Sequence, residues 1–295
     1  MRSAPSQTST GPLVTDAAIL PAEDLAVPVD AQLPEGGGGE AFEVIGGDPD
    51  SSIVILGDHA TNHVPDDYPR TLGLPEEEFE RHIAYDIGVE GMVRGLARRL
   101  GARAVMSRFS RLLIDPNRGD TDPTLIMRLS DGAVVPANHP LPAGECERRI
   151  ERFWRPYDDA VSRTIEGKMA RGIVPLVVSI HSFTPFWRGV PRPWQVGVLW
   201  DADDRLAKPM IDMLRADESL TVGGNEPYSG ALGGDMMNRQ AHARGLPHAL
   251  VEVRQDLIGE PAGQEEWAER LASIIARLDR MDGMHEVRHY ASNAV

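Results

Sequence analysis

The chain has 295 residues, 41% hydrophobic and 25% charged, enough for one large domain or two small ones with a buried core. Its formal net charge of −15 argues against a nucleic-acid backbone or an anionic membrane as the main partner. A local cluster of arginines can still receive a small anion, while the one cysteine, Cys146, excludes an internal disulfide and a cysteine-rich metal site. No apolar run approaches the roughly 20 residues of a membrane helix, and no apolar segment follows Arg2 as a secretory signal requires. A cytoplasmic location is the default expectation.

Residues 1–45 are rich in Pro, Ala, Ser, Thr and Gly and pass through GGGG at Gly36–Gly39. Such a stretch buries too little apolar surface to offset its ordering entropy, so a disordered tail is expected, with a single domain over 46–295. Ile53–Leu56 is an apolar, β-branched run of the kind a buried parallel strand needs, and it stops at Gly57 before Asp58, His59, Thr61, Asn62 and His63. Pro75 and three glutamates open a helix to about His82, and a second runs from about Ile87 to Leu100, closed by Gly101. Ala102–Met106 reads as a strand and Leu112–Ile114 as a short apolar piece before Asp115-Pro-Asn-Arg118. Asp120–Gly144 is an irregular excursion, of the length that usually forms lids or pocket walls.

Glu145–Met169 has helical spacing, with Pro156 expected to kink it. Pro175–Ser182 is a second apolar strand, and it runs into His181. Gln195–Trp200 and Ser219–Val222 read as strands, Arg205–Leu214 and Met236–Ala243 as helices. His248–Val253 is the last strand, and Gln264–Met281 the closing helix. Strands alternating with helices predict an α/β fold, a sandwich around a mixed, largely parallel sheet. Neither the GGGG run nor Gly223-Gly224 is a phosphate loop, because no Lys-Ser/Thr follows.

Three apolar strands thus deliver His59, His181 and Glu252. Each residue alone reads equally well as a hydrogen-bonded core group. Glu252 is the most telling, because a carboxylate inside LVEV is costly unless it meets a charge or a metal. Together the three fit a mononuclear zinc site with two imidazoles and a carboxylate acting as general base.

DHATNHVP, HIAYDIG, SRFSRLLIDPNR, SIHSFTP, GNEPYSG and ALVEVRQDLI, in this order, resemble the N-formylglutamate amidohydrolase family over about Ile53–Leu278. The resemblance implies a three-layer, zinc-carboxypeptidase-like α/β sandwich around one Zn2+ per chain. It also implies hydrolysis of an N-acyl amino acid, N-formyl-L-glutamate first among them, by a protein whose partner is a small anionic substrate. Another carboxylated N-acyl compound, or a non-catalytic binding module on the same scaffold, is the alternative.

Residue by residue, the resemblance makes His59 and His181 metal ligands, but Asn62 stands where a glutamate ligand is expected. Asp86 is the candidate third ligand, with His63 and His82 behind it; Asp86 is equally suited to capping the second helix. Glu252 matches the general base. Arg111, or Arg108, resembles the arginine that polarises the scissile carbonyl. Asn117 and Arg118 resemble the pair that grips the substrate carboxylate, for which a planar guanidinium is suited. Arg254 is a candidate for a second carboxylate, or a salt-bridge partner of Asp256 or Glu260. His242 is a candidate proton shuttle, and Asn225, Tyr228 and Ser229 are candidate pocket residues.

Overall fold

The computed structural model describes residue 39 and residues 41–294. The elements follow as β1 (Phe42–Ile45), β2 (Ile53–Gly57), α1 (Glu76–Phe79), α2 (Val89–Leu100), β3 (Arg103–Ser107) and a small β4–β5 hairpin (Leu129–Ser130, Ala133–Val134). After these come α3 (Glu145–Arg149), α4 (Arg155–Met169), β6 (Leu176–Phe183), the β7–β8 hairpin (Phe186–Trp187, Val190–Pro191) and β9 (Val196–Leu199). The last are α5 (Ala207–Arg215), β10 (Val222–Gly224), α6 (Met236–Gln240), β11 (His248–Arg254) and α7 (Pro261–Leu278).

Every residue of β2 and β6 is buried, which requires cover on both faces of the sheet. Side chains alternate across a strand, and the core divides accordingly. Ile53, Ile55, Val178, Ile180 and Val251 pack with Met92 and Leu96 of α2, Met210 of α5 and Leu271 of α7. Val54, Leu56, Val177 and Leu250 pack on the other side with Phe153, Tyr157 and Val161. Two helical layers therefore enclose one sheet, the three-layer sandwich that the sequence predicts.

The seven strands lie in the order β1-β3-β2-β6-β11-β9-β10. The pairs β3–β2, β2–β6, β6–β11 and β9–β10 are parallel, while β1–β3 and β11–β9 are antiparallel. Parallel neighbours end at the same edge, so β2, β6 and β11 bring their carboxyl ends together. Glu252 stands directly opposite His181 in the β11–β6 register. Ligands bind outside this edge in open α/β sheets.

Several boundaries differ from the sequence reading. Phe42–Ile45, expected within the tail, is an edge strand of the sheet, paired antiparallel to β3 through the buried Val44. The rest of that expected tail, residues 1–38 and 40, lies outside the described residues. The short apolar piece Leu112–Ile114 is a buried segment beginning in a turn and packed on the α4 side of the core. The helix expected from Glu145 to Met169 is interrupted by a π-helical stretch at Ile150–Trp154, immediately before Pro156 in the first turn of α4. Proline removes one N–H from the ladder, and widening the preceding turn accommodates the loss. Among the described residues, no helix is long and apolar enough to cross a membrane.

Gly88 starts α2 in a left-handed conformation (φ 86°), and a Cβ there would lie 2.2 Å from the Ile258 carbonyl oxygen. Backbone atoms cannot yield as a flexible side chain can. Gly88→Ala is expected to lower the unfolding free energy by about 1–3 kcal/mol for the backbone conformation alone, with the clash adding to it. Urea denaturation with an unchanged m-value checks this; wild-type stability would show that α2 does not depend on the close approach.

Candidate active site

His59 lies two residues beyond β2 and His181 within β6, their ring centroids 4.8 Å apart and edge-on. Asp86 comes from the loop before α2, fixed by its own N–H donating to the His59 carbonyl oxygen at 2.9 Å. Its Oδ2 faces both imidazoles, 2.9 Å from His181 Nδ1 and 3.4 Å from His59 Nδ1. The far nitrogens are held by other carboxylates: His59 Nε2 on Asp115 Oδ1 at 2.7 Å, and His181 Nε2 on Asp58 Oδ2 at 2.9 Å. All five residues are buried.

A carboxylate only accepts, so each Nε2 carries the proton it donates to Asp115 or Asp58. In a neutral ring, Nδ1 then presents a lone pair toward Asp86 Oδ2, another acceptor. Acceptors this close need a shared cation, either a second proton on the ring or a metal ion. A ligand atom from each of His59, Asp86 and His181 lies within 4.8 Å of the others, and carboxylates orienting metal-bound imidazoles are the usual support of such sites. The residues present therefore fit a divalent cation. Burial opposes a charge on His181, but hydrogen bonds to Asp58 and Asp86 override it and push the ring up to about 10. Burial would raise Asp86 and Asp115 too, yet the facing histidines hold both well below the usual carboxylate range.

The surrounding frame is equally tied. Asp58 accepts from the Tyr157 hydroxyl at 2.8 Å and from the Ser179 hydroxyl at 2.6 Å. Arg111 bridges two members of the cluster, donating from Nη2 to Asp115 Oδ2 at 2.9 Å and from Nη1 to Asp86 Oδ1 at 3.3 Å. Glu252 is different. Its Oε2 is buried with no hydrogen-bond partner, and burial pushes the carboxyl up to about 7, against the pull of His181 and Arg111. His59, Asp86, His181, Arg111 and Glu252 open onto a cavity of about 840 Å³.

Most of the sequence candidates meet at this cavity. His59, Asp86, His181, Arg111, Asn117, Arg118, Tyr228, Ser229 and Glu252 all line it. Asn117 also accepts from the Met236 N–H at 3.0 Å and so anchors the start of α6. Asp86 does not cap α2: Gly88 occupies that position and no side chain caps the helix. Asn62 turns toward the Phe79 carbonyl oxygen and Glu80, away from the cluster, and His63 is exposed. His82 lies beside the cluster, 3.6 Å from Asp86 Oδ1, and burial pushes it down to about 4. Arg108 pairs with Glu43 and Glu90 instead.

Three candidates lie elsewhere. Arg254 spends its guanidinium on Asp256, at 2.7 and 3.2 Å, and does not line the cavity. His242 is buried against His248 and 3.8 Å from Asp201, and does not line the cavity. Asn225 accepts from the Trp200 and Gly230 N–H groups at 3.0 Å each and shapes the loop without facing the cavity. The sequence reading gave no role to Asp58, Asp115, Tyr157 or the β7–β8 hairpin. An acid directly before His59, in GDH, was the one available signal.

Imidazoles locked by carboxylates, a lone unpartnered glutamate and arginines around one cavity at a sheet's carboxyl edge define the class as an α/β amidohydrolase. The N-formylglutamate amidohydrolase family model matches residues 51–259, and the chain belongs to that family. The gene product Atu2144 from Agrobacterium tumefaciens is 32% identical with a TM-score of 0.76, over 81% of this chain and 95% of that one. N-formylglutamate amidohydrolase from Ralstonia eutropha JMP134 shares the fold, with a TM-score of 0.62 at 21% identity, over 81% of this chain and 97% of that one. The N-formylglutamate deformylase of Pseudomonas putida is 36% identical over 103 residues, 32% of this chain and only 35% of that relative's length.

If Asp58 and Asp115 orient the imidazoles, Asp58→Asn and Asp115→Asn should each weaken divalent-cation binding by roughly 10–100-fold. Chelator competition on folded protein measures this. Wild-type affinity in both variants would reduce these carboxylates to structural roles.

Proposed function

We propose that the protein hydrolyses N-formyl-L-glutamate to formate and L-glutamate, using one zinc ion held by His59, Asp86 and His181. The observation that carries this reading is the pairing of a buried two-histidine, one-carboxylate cluster with the unpartnered Glu252 directly across the β6–β11 register. Family membership supports the substrate. Bound zinc supplies Lewis acidity toward the formyl carbonyl and lowers the pKa of water.

The chain's own residues then divide the work. Glu252, with one oxygen free of hydrogen bonds, takes a proton from the attacking water and returns it to the leaving amine. Arg111 lines the cavity while fixed by Asp86 and Asp115, so its positive charge needs no reorganisation to oppose negative charge growing on the carbonyl oxygen. Arg118 lines the same cavity, its guanidinium bonded among the described residues to the neutral oxygens of Asn117 and Thr124, and is available to a substrate carboxylate. Asp86 takes the place that position 62 leaves empty. That supports catalysis over the non-catalytic module.

Two measurements test this reading. Removing metal with a chelator should abolish deformylation, and zinc at about one ion per chain should restore it; full activity in verified metal-free protein would overturn the zinc assignment. Glu252→Gln should lower kcat by roughly 10² or more while the protein stays folded and zinc-loaded. A Gln variant that is zinc-loaded and nearly fully active would remove Glu252 from the chemistry.

A further inference from the structure

A dicarboxylic substrate needs a second anion receptor, and Arg254, bound to Asp256 outside the cavity, does not provide one. The β7–β8 hairpin does. Its strands pair Phe186 with Pro191 and Trp187 with Val190 and are joined by Arg188-Gly189, both left-handed (φ 50° and 79°). Two-residue turns of this hand favour Asn-Gly, so an arginine at the first position is unusual for the turn itself. Arg188 lines the cavity with Trp187, its guanidinium 5.6 Å from that ring centroid, and has no ion-pair partner among the described residues.

Behind it, Arg192 is buried, 8% exposed, with its guanidinium 5.6, 5.3 and 5.0 Å from the rings of Phe183, Trp187 and Tyr228. Its Nη1 donates to the Thr184 carbonyl oxygen at 3.3 Å and hydroxyl at 3.2 Å. Among the described residues it too has no carboxylate partner. Aromatic faces and neutral oxygens hold a guanidinium without cancelling its charge. One wall of the cavity is therefore cationic at its surface and again behind it, in a protein of net charge −15. Tyr228, whose ring the Arg192 guanidinium overlies, lines the same cavity as Glu252, which connects this wall to the reacting end of the cavity.

We propose that the β7–β8 hairpin receives the side-chain carboxylate of a dicarboxylic N-formyl amino acid, with Arg188 in contact and Arg192 positioning the wall behind it. The inference rests on the N-formyl amino acid reading above and assigns the selectivity within it; Arg118 receives the other carboxylate.

The test compares kcat/KM for N-formylglutamate and its uncharged counterpart N-formylglutamine in zinc-loaded wild type, Arg188→Asn and Arg188→Lys. Asn removes the charge and suits the left-handed turn, and an unchanged melting temperature confirms folding. The preference for the diacid should fall roughly tenfold or more in Arg188→Asn, mainly through KM, as for a lost charge-assisted hydrogen bond, and be partly restored in Arg188→Lys. An unchanged preference, equal losses on both substrates, or a selective loss in Arg254→Gln instead would overturn the hairpin assignment while wild-type turnover upholds the parent reading. Zinc-loaded wild type that turns over neither compound would defeat the parent reading, and the hairpin's assigned role with it.

Discussion

The site depends on lone pairs that face one another across the carboxyl ends of β2 and β6. His59 and His181 each commit Nε2 to a buried carboxylate, which turns both Nδ1 atoms toward the same oxygen of Asp86. Three acceptors in one buried space repel unless positive charge lies between them. The sheet core, the Asp86 loop and the buried turn carrying Arg111 all hold this arrangement in place, and none of their backbone can shift far without separating it. Breaking a buried, hydrogen-bonded charge set by removing one member costs several kcal/mol, because the remaining charges are left uncompensated. The tight anchoring of Asp58 by Tyr157 and Ser179 follows from the same constraint.

That constraint also reconciles the global charge with the substrate. Much of the negative charge near the site is neutralised internally, by Arg111 on Asp86 and Asp115 and by the cation that the facing acceptors of His59, Asp86 and His181 require. Arg118 and Arg188 face the cavity without carboxylate partners among the described residues. Local potential at a concave surface is set by the nearest uncompensated charges, while more distant exposed charges are screened within about 10 Å at ordinary ionic strength. An acidic protein can in this way present unpaired guanidinium groups at points of its cavity wall.

The sequence carried the sheet and the strand-borne part of the site well. Ile53–Leu56, Leu176–Ile180 and Leu250–Val253 are apolar apart from Ser179 and Glu252, and only a strand buried on both faces asks for so continuous an apolar run. Once they are parallel neighbours, His59, His181 and Glu252 must converge. What was not legible depends on loop conformation. Arg254 follows Glu252 by two residues on the same strand, yet its side chain bonds Asp256, and spacing alone cannot distinguish that from a pocket arginine. His242 and Asn225 sit in turns whose direction is set by tertiary packing. Apart from the place of Asp58 directly before His59, nothing in the sequence distinguishes Asp58 and Asp115, because their role appears only when each ring's second nitrogen can be followed to a partner.

The departure at position 62 leaves the sheet unaltered, and the proposed ligand set draws on another loop instead. Asn62 lies in a loop that directs its amide to Phe79 and Glu80. Asp86 arrives from a different loop, but the hydrogen bond from its own N–H to the His59 carbonyl oxygen ties the two loops at the point where the ligand is needed. The carboxylate therefore reaches the imidazoles through a backbone contact instead of a sequence spacing. Recognition is built differently: the β4–β5 and β7–β8 hairpins are separate two-stranded sheets that supply Leu129, Ser130, Phe186 and Trp187 to the cavity wall and share no register with the central sheet. Residues there can vary without disturbing the strands that carry His181 and Glu252, whereas any change in the β6–β11 register would separate Glu252 from the cluster. The sheet edge thus carries His181 and Glu252, and the inserted hairpins supply part of the cavity wall without touching that register.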